Sequence, residues 1–63
     1  MVSTEFLDRL ASQLKDGKDA ASRRAIERIL DDVKKGYEKG QYESSVEAER
    51  DFRQLVGLDE DKK

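Results

Sequence analysis

Apolar residues recur at helical spacing in three separate stretches of this chain. The first stretch runs from about Thr4 to Lys15. Its apolar residues are Phe6, Leu7, Leu10, Ala11 and Leu14. Because residues three and four positions apart share one face of an α-helix, this spacing predicts an amphipathic helix with a single apolar face.

The second stretch is the most regular and begins near Ala20. Its apolar residues are Ile26, Ile29, Leu30, Val33 and Tyr37. They recur at three- and four-residue steps, which predicts a helix that ends at Lys35 or Lys39. Just before it, the segment Asp16-Gly17-Lys18-Asp19 predicts a turn, since Gly and Asp are favoured in turns.

The third stretch opens with a helix start signal, Ser44-x-x-Glu47. In such a capping box, each side chain accepts a hydrogen bond from a backbone N–H at the other end of the box. The apolar residues that follow are Ala48, Phe52, Leu55 and Val56. Gly57 then predicts the end of this helix. Residues 59–63 are all charged and predict a disordered tail, so we expect a single domain over residues 1–58.

Together the three stretches predict an all-α fold, a helical hairpin followed by a C-terminal helix. We expect one small core, made of Phe6, Leu10, Leu14, Ile26, Leu30, Val33, Phe52 and Leu55. A chain of 63 residues buries only about 60% of the surface that its unfolded form exposes. The sequence has no Cys and no His with which a disulfide or zinc site would reinforce it. We therefore expect a second copy to complete the core in a homodimer.

The composition argues against an enzyme. The usual general bases and nucleophiles that act near neutral pH include His and Cys, and the sequence has neither. The acidic clusters at residues 31–32 and 47–51 are typical of solvated helix faces. The turn that begins at Asp16 lacks the alternating oxygen ligands of a calcium loop. We predict no catalytic residue, no metal site and no cofactor.

Charge is abundant but nearly balanced, with 44% charged residues and a net charge of −2. Residues 15–39 carry eight Lys/Arg against six Asp/Glu, whereas residues 40–63 carry four against seven. No stretch supplies the roughly 18 apolar residues that a membrane span needs, and the N-terminus lacks a signal-peptide pattern. The absence of Cys is compatible with a reducing compartment. We expect a cytoplasmic protein that does not enter a membrane.

The apolar face of the third helix is the first candidate binding surface. Aromatic and apolar residues on an amphipathic helix commonly anchor protein interfaces. The candidate residues are Tyr42, Ala48, Phe52, Leu55 and Val56. They predict a protein–protein interaction module whose partner is either another copy or a different protein. On this hypothesis a charge at Phe52 abolishes partner binding and leaves the first two helices intact.

The basic side of the second helix is the other candidate surface. Its residues are Arg24, Arg28, Lys35 and Lys39. Asp31 and Asp32 fall on the same side, and no aromatic residue is interleaved for base stacking. Nucleic-acid binding by a dimeric regulator is therefore the alternative to protein binding. A structural subunit of a larger assembly is a further alternative.

Two stretches resemble bacterial and plasmid antitoxins. Residues 36–57 contain Gly-x-Tyr-x-Ser-x-x-Glu, starting at Gly40, and then an amphipathic helix, a pattern similar to that of ParD-type and RelB-type antitoxins. Residues 4–35 resemble the two helices of a ribbon-helix-helix protein. The resemblance implies a dimer that represses its own operon, and a C-terminal segment that wraps a toxin of the RelE/ParE ribonuclease or gyrase-poison type. It also implies an N-terminal strand of alternating polar and apolar residues. In this sequence only Val2, Thr4 and Phe6 take part in such an alternation before the helical pattern begins.

Overall fold

The structure is a computed structural model that describes residues 3–60, with residues 59 and 60 described by their backbone alone. It contains three α-helices: α1 (Glu5–Lys15), α2 (Ala20–Glu38) and α3 (Ser45–Glu60). No strand occurs within residues 3–60, which confirms the predicted all-α class for that range. Phe6, from the strand that the antitoxin resemblance implies, lies in α1, and Val2 lies outside the described residues.

The central element is α2, and the other two helices both pack against it. Two ion pairs show that α1 runs antiparallel to α2. Lys34 Nζ lies 3.0 Å from Asp8 Oδ1, and Lys15 Nζ lies 3.8 Å from Glu27 Oε1. A short connection at residues 39–44 then returns the chain along α2 as α3. The described residues therefore form a small up-down-up bundle.

The turn predicted between the first two helices is confirmed. Lys18 N–H donates to Lys15 O at 3.0 Å, and Gly17 has a φ of 76°, as the third position of a type II turn requires. Asp19 then caps α2, because its Oδ1 accepts a hydrogen bond from Ser22 N–H at 2.8 Å. That hydrogen bond lowers the pKa of the Asp19 carboxyl. The sequence predicts Asp19 as part of the turn, and the structure adds its role as the cap of α2.

A Schellman motif ends α2 at Gly40, which has a φ of 79°. Gly40 N–H donates to Tyr37 O at 3.1 Å, and Gln41 N–H donates to Gly36 O at 2.9 Å, so two terminal carbonyls of the helix are satisfied. Gly36 is buried inside α2. A Cβ added there would lie 2.9 Å from Gln41 Oε1 and 3.1 Å from Tyr42 Cε2. The connection therefore packs directly on the side of α2 at Gly36.

All three helices contribute to one core. Its buried residues are Leu7, Leu10, Ala11, Ile26, Val33, Ala48, Phe52 and Val56. The half-buried residues packed against it are Phe6, Leu14, Ile29, Leu30, Tyr37 and Tyr42. The Phe6 and Tyr37 rings meet edge to face, with centroids 5.2 Å apart. Most of the predicted core residues therefore lie in the core or against it.

Leu55 is the core prediction that is wrong, since 36% of its surface is exposed. The inward direction of α3 is set by Ala48, Phe52 and Val56, which are spaced four residues apart. At about 100° per residue, Leu55 lies about 60° around the helix from Phe52. This rotation places Leu55 at the edge of the packed face and gives the inner position to Val56.

The start predicted for α3 is close to the observed one. Glu47 N–H donates to Ser44 Oγ at 3.4 Å, so Ser44 acts as the cap. The reciprocal bond differs from the standard capping box, because Glu47 Oε2 accepts from Glu43 N–H at 2.9 Å. The Glu47 side chain therefore anchors the residue before the cap.

The end predicted for α3 is wrong. The helix continues through Gly57 to Glu60, and a Cβ added at Gly57 would have no heavy atom within 4 Å. Gly57 therefore neither ends the helix nor fills a close contact within the chain. Residues 59 and 60 of the predicted tail belong to α3, while residues 61–63 lie outside the described residues.

Candidate interaction surfaces

The five α3-side residues predicted to bind a protein do not form one exposed surface. Ala48, Phe52 and Val56 are 0%, 0% and 4% exposed, since they fill the core of the chain itself. Tyr42 is half-buried against that core, and Leu55 is exposed. A partner cannot reach the three buried side chains while α3 is packed on α2. Protein binding by the folded chain therefore needs residues other than these three.

Large apolar side chains are exposed at three positions of α3. Val46, Leu55 and Leu58 are 61%, 36% and 56% exposed. Leu55 and Leu58 are three residues apart and lie on one side of the helix, with Val46 on the opposite side. We call the first side the leucine flank. Its residues are Glu47, Asp51, Gln54, Leu55 and Leu58.

Neutral donors order the two carboxylates of the leucine flank. The Tyr42 hydroxyl donates to Asp51 Oδ2 at 2.6 Å, and Glu43 N–H donates to Glu47 Oε2 at 2.9 Å. Burial, followed by the bond to Asp51, raises the pKa of Tyr42 to about 12. The hydroxyl therefore keeps its proton near neutral pH and remains a donor. Among residues 3–60, neither carboxylate has a cationic partner.

Several carboxylates elsewhere on the surface do have lysine partners. These pairs are Asp8–Lys34, Glu27–Lys15 and Asp31–Lys35, with N···O distances of 3.0, 3.8 and 3.1 Å. The difference matters because a paired carboxylate presents little net charge to an approaching molecule, whereas an unpaired one contributes to the surface potential. The leucine flank therefore combines exposed apolar side chains with ordered, unneutralised negative charge.

The basic side of α2 carries mixed charge. All of the residues predicted for nucleic-acid binding are exposed: Arg24, Arg28, Lys35 and Lys39. Arg24 and Arg28 line an open depression together with three acidic residues, Glu27, Asp31 and Asp32. The hydrogen bond from Lys35 to Asp31 raises the pKa of Lys35. A nucleic acid would meet these carboxylates as well as the basic groups, so its binding stays a prediction that this geometry does not favour.

Neither the comparisons with known proteins nor the possible metal ligands among residues 3–60 indicate a site in this chain. No protein-family model, curated protein or solved structure matches it. Residues 3–60 contain no group of three or more side chains placed to hold a metal ion. No helix in that range is long and apolar enough to cross a membrane. The two surfaces described above are therefore the candidate functional sites.

Proposed function

We propose that this chain is a non-enzymatic protein–protein interaction module that docks the leucine flank of α3 on another protein. The observation that carries the proposal is the exposure of Leu55 and Leu58 beside a core that the three helices already fill. Single exposed apolar residues are ordinary on protein surfaces. Two leucines on one turn of a helix match the anchor spacing by which helices dock into apolar grooves.

An antitoxin-like inhibitor is the most specific form of this proposal. The resemblance over residues 36–57 covers most of α3 and the connection before it, which supports a partner-binding role for this part of the chain. A helix that is already folded loses less conformational entropy on docking than a disordered segment does. Leu55 and Leu58 can therefore support binding to a partner although they are few. We place this activity in the cytoplasm, in keeping with a sequence that has no Cys.

A different protein fits the leucine flank better than a second copy of the chain does. In a two-fold symmetric dimer the same surface patch meets itself. The net negative charge of Glu47 and Asp51 on one copy would then face the same charge on the other copy, and like charges across an interface are unfavourable. The homodimer predicted from the sequence stays a prediction, and a heterologous partner is the one we favour.

Replacing both Leu55 and Leu58 by serine should remove partner binding and preserve the fold. Both side chains lie outside the core, so helicity should change little. Their burial in a partner should contribute on the order of 100-fold in affinity. The partner is first identified as the protein that the wild-type chain retains from its native extract, and it is then purified. Calorimetric titration then measures the affinity of this partner for wild type and for each variant.

Val46→Ser is the matched control, because Val46 is also an exposed apolar residue of α3 but lies on the opposite side of the helix. It should bind the purified partner as wild type does. Equal affinity of the wild type and the double leucine variant, with both folded, contradicts the proposal. Equal loss in the Val46 variant places the interface elsewhere on α3.

A further inference from the structure

The charge of the leucine flank specifies the chemistry of its partner. We propose that this flank docks a basic amphipathic surface of another protein, an apolar face bordered by lysine or arginine side chains. The inference rests on the function proposed above, because it describes the partner of the same surface. Beyond that function, it specifies that the partner's charge is positive and where on the partner this charge lies.

The carboxylates of Glu47 and Asp51 lie in the same row along the surface of α3 as Leu55. Asp51 lies four residues before Leu55, and Glu47 lies four residues before Asp51, so the three follow one row along the helix surface. The leucines thus form one end of the flank, and the carboxylates form the end nearest the connection. A complementary partner presents an apolar patch with cations at one end of it.

Both carboxylates are held in position before any partner arrives. Bonds from Tyr42 and from the Glu43 backbone restrict their side chains while leaving their charge unpaired. Restricting a side chain in advance reduces the entropy that binding costs. A cation that approaches either carboxylate also displaces no existing ion pair among the described residues. Recognition of a cationic group is therefore favoured here over the lysine-paired acidic sites on α1 and α2.

The basic residues of α3 leave this charge unbalanced. Arg50 borders the flank, since it lines the same open depression as Tyr42, Glu47, Asp51 and Gln54. It forms no ion pair with either carboxylate within residues 3–60. Arg53 lies on the Val46 side of the helix. Because the flank has two carboxylates and one bordering guanidinium, it repels an acidic partner and attracts a basic one.

Three synthetic helical peptides test this inference directly. They share one leucine face and differ only in the residues that border it, which are lysine, glutamine or glutamate. Their affinities for the full chain are measured by fluorescence anisotropy at low and physiological salt, and amide NMR shifts locate the contact. The lysine-bordered peptide should bind most tightly at α3 and should weaken as salt is raised.

The variant Glu47→Gln/Asp51→Asn removes both charges and keeps the oxygen acceptors for Glu43 N–H and the Tyr42 hydroxyl. It should bind the lysine-bordered peptide about tenfold more weakly. Glu27→Gln/Asp31→Asn makes the same charge change on α2 and should bind this peptide within about twofold of wild type, since those carboxylates already pair with lysines.

The outcomes separate this inference from the function on which it rests. Equal binding of the lysine- and glutamate-bordered peptides at α3 overturns the basic partner and leaves the docking function in place. Failure of all three peptides to bind contradicts the docking function itself. If the lysine-bordered peptide still binds the double leucine variant, its attraction is a general charge effect, and the inference is overturned.

Discussion

Replacing Phe52 by alanine should lower the free energy of unfolding of the whole chain by about 3–5 kcal/mol at 25 °C. Phe52 is 0% exposed and is the largest of the fully buried side chains. Removing a buried phenylalanine ring costs about 3–5 kcal/mol, because transfer energy is lost and a cavity remains. A domain of 63 residues has a total stability of roughly 3–9 kcal/mol. Urea denaturation followed by circular dichroism should therefore show the three helices unfolding together at a much lower urea concentration than in wild type.

Leu58→Ala is the control for this substitution, because Leu58 belongs to the same helix and is exposed. Its free energy of unfolding should change by less than about 0.5 kcal/mol. If Phe52→Ala instead left the urea unfolding of α1 and α2 unchanged, α3 would be a separable arm, as the sequence-based hypothesis about a charge at Phe52 assumed. The structure argues against that division, since Phe52 shares one core with residues of both other helices.

Replacing Gly36 by valine should destabilise the fold by about 1–3 kcal/mol. The new Cβ would meet the Gln41 side chain at 2.9 Å and the Tyr42 ring at 3.1 Å. The glutamine end is flexible and can move aside, but the ring packs against the core and must shift with the connection. Urea denaturation measures the loss, and the near-ultraviolet dichroism of the tyrosines should report the displaced ring.

Gly57→Ala supplies the contrast, because a Cβ at Gly57 meets no heavy atom within 4 Å. Alanine favours a helix over glycine by about 0.8–1.0 kcal/mol, so this variant should be more stable than wild type. If Gly36→Val were as stable as wild type, the close approach of the connection to α2 would not exist in solution. The comparison therefore tests packing at Gly36 separately from helix propensity.

The positions of the helices follow from local sequence signals. Apolar periodicity and the turn at Asp16 place α1 and α2 within a few residues of their observed bounds, and Ser44 marks the start of α3. The end of α3 does not follow in this way. Gly57 is a common stop signal, yet an interior glycine costs a helix only about 1 kcal/mol, so the helix can continue through it.

The candidate site was harder to predict than the helices. An apolar stripe looks the same in sequence whether it faces its own core or a partner. The pattern therefore predicts both roles for Phe52 and Leu55, and binding alone for Val56. The ordered carboxylates depend on where the connection folds back. Tyr42 reaches Asp51 because the chain crosses α2 at Gly36, which is a tertiary contact that periodicity does not encode.

In this structure a single chain completes its own core. Measuring the mass and the helicity of the protein on dilution tests this most directly. Light scattering over a concentration series gives the mass, and circular dichroism on the same samples gives the helicity. We expect the species with the monomer mass of 7.2 kDa to retain full helicity at every concentration. Helicity that falls together with the mass on dilution would contradict this, because a second chain would then be needed to complete the core.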